Sequence, residues 1–369
     1  MESGSMESVE TAAARQPEFV HACPLLTADI PGIGGQIKQE PEDFVVEELP
    51  AYEPSGEGEH LFLWIEKRDT AAEQLTRHLA RSLGISSRDV GTAGLKDRRA
   101  VTRQYVSVPA TCADRIGEVE TDAIHVLRHA LHGNKLRTGH SRGNRFSIRI
   151  REINSGATER VEAVCLRIQE HGFPNDFGLQ RFGIDNETLE LGLALLTGSK
   201  RPKDIPGSRR RFLLKFALSA AQSYLFNRAL ADRLADGLID RVLSGDVMQV
   251  VASGGPFVVD DVEREQGRLD QRETAITGPM FGPKMRSPVG APAERERRVL
   301  DGCGLNDSDF VRHRKLTPGT RRPYVVLPDC LTVSTEQNDL RLEFTLPRGA
   351  YATSLLREFQ EGAATRGTT

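Results

Sequence analysis

The sequence predicts an α+β fold in which a strand-rich framework is interrupted by an α-rich insertion. Three observations lead there. Strand-like runs dominate residues 44–151, helical patterns dominate the middle, and strand signals return from PYVVLPDC onward; that order suits an α+β domain carrying an inserted domain. The length, 369 residues, fits about two domains. With 38% hydrophobic and 27% charged residues, the chain can build a core and is not of the disordered class.

The first 25 residues carry no apolar period and read as a flexible tail. QIKQEPEDFVVEEL reads as an edge strand and GEHLFLWIEKR as a second strand. Thr70 through Glu73 has the capping-box spacing, with Thr as N-cap. It opens a helix whose Ala72, Leu75, Leu79 and Leu83 share one face, and Gly84 ends it. VGTAGL and VTRQYVSVP flank a polar loop, KDRRA. AIHVLRHALH and RFSIRIREI follow as strands. TERVEAVCLRIQEHG has Val161, Val164, Cys165 and Ile168 on one helical face. ETLELGLALL and FLLKFALSAAQSYLFNRALADRL predict helices, AERERRVLDG a weaker one. LTVSTE and LRLEFTL predict strands, and TSLLREFQ a closing helix.

Several function classes drop out. No apolar run approaches the roughly 20 residues of a membrane helix, and no signal-peptide pattern opens the chain, so a cytoplasmic protein is expected. Five scattered cysteines show no C-x-x-C spacing, which argues for reduced, mostly buried thiols and against a zinc site. No P-loop or G-x-G-x-x-G precedes a helix, so no nucleotide cofactor is expected.

Charge is unevenly spread. Residues 1–60 hold thirteen acidic and two basic side chains, a net of −11, whereas 96–151 hold twelve basic and five acidic, a net of +7. The stretch KRPKDIPGSRRRFLLK carries seven basic residues against one acidic, and a further cluster contains Arg312, Arg314, Lys315, Arg321 and Arg322. Arginine suits bidentate phosphate contacts, and a polyanion would release counterions on binding there. Such clusters can equally be solvated faces paired with carboxylates.

The densest polar loop is TAGLKDRRAVTRQ. Asp97 stands among Lys96, Arg98, Arg99 and Arg103; surrounding cations favour its ionised form. A carboxylate so placed could trap or stabilise positive charge at a sugar C1′, or simply pair within a turn. In GNRFSIRIRE, Arg145, Ser147, Arg149 and Arg151 alternate with Phe146, Ile148 and Ile150. Phe146 reads first as core, and second as a platform for a base. Asn144 reads as a turn residue or as an amide able to meet a pyrimidine edge.

These motifs together resemble the TruD family of tRNA pseudouridine synthases, over about Gly32 to Glu358. EPEDFVVEE, GEGEHLFLWIEK, AGLKDRRAVTRQ, GNRFSIRIRE, PNDFGLQRFG, ALSAAQSYLFN and LPRGAYATSLLRE occur in the family's order and spacing. The resemblance implies a catalytic domain around a mainly antiparallel sheet (26–171 plus 326–369) and an α-rich α+β insertion (172–325). It implies that Asp97 is the catalytic aspartate and that Lys38, Phe44, Lys96, Asn144 and Phe146 line the active site. Tyr351, standing where the family often has Phe, is implied as a further substrate-binding residue, and Asp176 stands where the family often has Tyr. The implied substrate is tRNA, at uridine 13 of the D-arm, with no cofactor, acted on by a monomer. Arg103, Arg209, Arg210, Arg211, Arg321 and Arg322 are then expected on the RNA backbone. Two competing functions are an N-glycosylase using the same carboxylate and a non-catalytic tRNA-binding protein.

Overall fold

The computed structural model describes residues 23–208 and 210–362. Arg209, like residues 1–22 and 363–369, therefore lies outside the described part. The first half contains β1 (Phe44–Pro50), β2 (His60–Arg68), α1 (Ala72–Ser82), β3 (Gly91–Thr92), β4 (Val101–Pro109), β5 (Ile124–His132), β6 (Ser141–Ile150) and α2 (Thr158–His171). The middle contains β7 (Phe173–Pro174), α3 (Glu187–Thr197), α4 (Arg210–Ala235), β8 (Val247–Val250), β9 (Pro256–Val258), α5 (Val262–Asp270), β10 (Thr274–Met280), α6 (Ala291–Asp301), α7 (Asp307–Val311) and β11 (Thr320–Pro323). The chain closes with β12 (Val325–Val326), β13 (Asp329–Glu336), β14 (Asp339–Pro347) and α8 (Ala352–Gln360).

One large sheet runs β13-β14-β6-β1-β4-β2-β5, with β3 pairing β4. All its pairs are antiparallel except β1 with β4. The expected edge strand is thus an interior one, between β6 and β4. Its acidic residues suggest an edge, yet both are paired: Glu47 lies 3.6 Å from Arg103 and from Arg145, and Glu48 lies 3.2 Å from Lys96. The run begins at Phe44, because residues 36–43 form a loop and a 3-10 turn.

The capping position of α1 is also shifted. Thr70 donates its hydroxyl to the Arg68 carbonyl (2.8 Å), while the Gln74 side chain accepts from the Ala71 N–H (2.9 Å), making Ala71 the N-cap. Leu75, Leu79 and Leu83 are buried as their period predicts.

Phe44, Val46, Phe146, Ile148 and Ile150 pack with Phe344 and with α2 and α8 in one core. A second core surrounds α4, whose Leu218, Ala221, Leu225 and Phe226 are fully buried against α3 and Phe310. Beside α4 lies a four-stranded sheet, β11-β10-β8-β9, that the sequence reading missed. Its strands are short and broken by Gly and Pro, which masks the period-two signal. Gly278 of β10 is required there, since a Cβ would overlap the Tyr324 ring. The two chain crossings between these halves pair as β7 with β12.

Cys23 closes the expected tail differently. It is only 4% exposed, and Leu26 and Thr27 donate backbone N–H groups to the Glu358 carboxylate. Of the cysteines, Cys23 and Cys112 are buried and Cys330 is exposed. No described helix is long and apolar enough to cross a membrane.

Candidate active site

Strand parity selects the residues that meet. On β1, Phe44, Val46 and Glu48 point one way while Val45 and Glu47 point the other. Register pairs Val46 with Phe146 and Glu48 with Asn144, so these four share a face. The loop between β3 and β4 carries Lys96 and Asp97 over it.

The Asp97 carboxylate is 48% exposed and accepts from Lys38 Nζ at 2.9 Å. Lys38 takes a positive φ of 57° in the loop before β1, and its ammonium lies 4.0 Å from the centre of the Phe44 ring. Phe44 meets Phe146 edge-on at 6.2 Å, and Phe146 stacks on Phe344 at 5.2 Å. Lys96 donates to Asn144 Oδ1 at 2.5 Å and pairs with Glu48. Lys38, Phe44, Lys96, Asp97, Asn144 and Phe146 thus form one linked group. Phe146 is 6% exposed, so the core role that its period predicts is the main one.

Tyr351 is the N-cap of α8 and is partly exposed. Its ring lies 5.8 Å from Phe177, and the Arg322 guanidinium sits 6.0 Å from its centre. Asp176, next to Phe177 in sequence, is buried and pairs with Arg357 at 3.2 Å.

The arginines expected on RNA divide sharply. Arg321 is 3% exposed in its side chain and bonds Glu296 at 2.8 Å, which corrects its expected role. Arg322 is half-buried; it donates to Asn175 Oδ1 (2.5 Å) and lies 4.3 Å from the Phe177 ring centre, and burial pulls its pKa down to about 10. Charge alone could not separate a buried cation such as Arg321 from surface ones. Arg103 occupies the sheet face opposite Asn144, held by Glu66 at 2.8 Å and Glu47 at 3.6 Å. Arg210 caps inward onto the Ile205 carbonyl (3.1 Å), whereas Arg211 and Lys215 are exposed. Arg209 lies outside the described residues.

Sequence reading missed Lys67 and Glu48. Lys67 follows Leu61, Leu63 and Ile65 on the inward face of β2, and that parity was the available signal. It is fully buried and donates to the backbone carbonyls of Asp97 (2.8 Å) and Thr70 (2.7 Å), tethering the loop that carries the carboxylate. Burial lowers its pKa from 10.5 to about 8, against the opposing pull of Asp97. Because the unfolded chain then binds more protons between these values, its contribution makes stability rise as pH climbs from about 8 to 10.5. The Lys67→Met variant should lack that rise in denaturant titrations compared with the native chain. It should also lose kcat, because the freed carbonyls loosen the Asp97 loop; an unchanged kcat would remove Lys67 from the site.

An α+β scaffold with a lysine-held carboxylate at the surface of its main sheet defines an enzyme class, and comparison with known proteins specifies it. The family tRNA pseudouridine synthase D (TruD) matches residues 22–202 and 208–359. A tRNA pseudouridine synthase D of Anaeromyxobacter sp. (strain Fw109-5) is 42% identical over 341 residues, 92% of this chain and 97% of that protein. A namesake from Thermus thermophilus is 43% identical over 336 residues, 91% of each chain. A solved structure from Methanosarcina mazei, given the name putative tRNA pseudouridine synthase D (TruD), superposes with a TM-score of 0.72 at 26% identity, covering 91% of this chain and 95% of that one. The chain belongs to the tRNA pseudouridine synthase D family, a family of isomerases.

Proposed function

We propose that this enzyme converts uridine to pseudouridine in tRNA, at uridine 13 of the D-arm, with Asp97 as its nucleophile or base. The observation that carries the reading is the reachable Asp97 carboxylate, held by Lys38 beside the Lys96–Asn144 pair and the Phe44–Phe146 floor. The reaction breaks N1–C1′ and forms C5–C1′; C5 loses a proton and N1 gains one. Atoms balance without an external oxidant or reductant. The target nucleoside must leave its stack to reach the site, and the aromatic floor suits a planar base. Asp97 either attacks C1′ or takes a sugar proton, and in both cases Lys38 holds its charge in place.

We assign residues 26–171 and 326–369 to the catalytic domain and 172–325 to the insertion. The β7–β12 pair supports that division, because it brings the two crossings side by side. Exposed Arg211 and Lys215 at the start of α4 offer cations to the tRNA backbone.

The test incubates the protein with tRNA carrying tritium at uracil C5 and maps pseudouridine. Tritium release with a modified base at position 13 is expected. Free uracil would identify a glycosylase instead, and tight binding without either product a non-catalytic tRNA-binding protein.

A further inference from the structure

Lys96 has donors only, so the Asn144 atom 2.5 Å from its ammonium must be the amide oxygen. Lys96 is in turn held by Glu48, a carboxylate 1% exposed whose other oxygen accepts the Tyr105 N–H at 3.3 Å. This buried relay fixes the flip of the Asn144 amide. Its NH₂ group is left over, and among the described residues no protein acceptor takes it. Asn144 is only half-buried and its partner Lys96 adjoins Asp97 in the chain, so this spare donor is open to a nucleoside at the Asp97 carboxylate.

We infer that Glu48, acting through Lys96, makes Asn144 a fixed donor that reads a base carbonyl oxygen both before and after the base turns, and so selects uracil over cytosine. The inference rests on the pseudouridine reading above. Uracil has an approximate two-fold axis through N3 and C6. Turning the ring about that axis exchanges N1 with C5, the exchange the isomerisation requires. The same turn exchanges O2 with O4. A single fixed donor therefore finds a carbonyl oxygen in both orientations of uracil. Cytosine presents O2 in one orientation and its amino group in the other, where donor meets donor. That mismatch leaves both polar groups unpaired, the situation by which hydrogen-bonding sites discriminate strongly. Glu48 and Lys96 are positioning residues in this scheme, since Glu48 touches no part of the base.

The test uses D-arm RNA hairpins with uridine, 2-thiouridine, 4-thiouridine or cytidine at the target. Sulfur accepts hydrogen bonds poorly, so each thio substitution should lower kcat/KM by roughly tenfold in the native enzyme, the loss of one hydrogen bond. One substitution should act mainly on Kd and the other on kcat, because the two oxygens meet the donor at different stages. Asn144→Ala should be slower on uridine yet treat all three uridines alike. Glu48→Gln keeps the volume and loses the anion, and should erase most of the roughly tenfold thio penalties seen in the native enzyme. Lys96→Met should do the same, and thermal melting identifies any variant that fails to fold. Thio sensitivity that persists undiminished in Asn144→Ala overturns the inference even if uridine is converted normally. Absence of any conversion by the native enzyme would instead sink the wider functional reading, and the Kd penalty of the thio hairpins, native against Asn144→Ala, would still decide the role of Asn144.

Discussion

Asp97→Asn is expected to cut pseudouridine formation by about 10³-fold or more while leaving tRNA affinity close to native. Loss of a nucleophile or base that acts within a unit removes most of that unit's rate enhancement. The substitution preserves shape and keeps an acceptor for Lys38 Nζ, which lies 2.9 Å from Oδ1 in the native chain. Binding should survive because exposed cations such as Arg211 and Lys215, proposed to meet phosphate, are left untouched. Single-turnover conversion and a filter-binding Kd, measured on the same preparation, separate the two quantities. A variant that retains a tenth of native turnover would remove Asp97 from the chemistry. A variant that loses turnover and affinity together would point to a collapsed site.

Arg321→Ala should instead unfold the chain more easily, by about 3–5 kcal/mol, the typical cost of leaving one member of a buried pair alone. Its guanidinium gives Glu296 two bonds, at 2.8 and 3.1 Å, and two more to Thr277. The stranded Glu296 carboxylate, already raised by burial, would have no nearby cation to offset desolvation. Urea denaturation reads the loss. Replacing both partners, as Arg321→Met with Glu296→Leu, should recover much of it, because matched apolar groups remove the uncompensated charge. The salt slope of tRNA binding should not change. A flattened slope with native stability would return Arg321 to the RNA-facing surface.

Asp97 and Arg321 mark the two sides of what sequence reading can reach. The excess of cations in the KDRRA loop singled out Asp97 as a held anion, and the strand period of GNRFSIRIRE placed Phe146 inward with Asn144 beside it. Both are local signals. Arg321 and Arg211 look equivalent in a charge count, yet one is buried against Glu296 and the other faces solvent. The Tyr351 ring packs near Phe177 and Arg322. Glu296 lies 25 residues from Arg321, and Phe177 is much further from Tyr351, so no local window of sequence contains both members. The four-stranded sheet beside α4 was missed because three of its strands have three or four residues, too few alternations to register, and the seven-residue β10 is interrupted by Gly278 and Pro279.

By itself, the sequence determined the order of the longer strands and helices, their inward faces, and the polar loop that holds Asp97. These follow from backbone periodicity and side-chain polarity within a few residues. Tertiary structure alone decided that β1 lies inside the sheet parallel to β4, that Lys67 tethers the Asp97 loop, and which arginines are buried in ion pairs. The reason is physical: a buried charge takes its role from whatever the fold packs against it, and that neighbour is set by long-range strand pairing rather than by the residue's own surroundings in the chain.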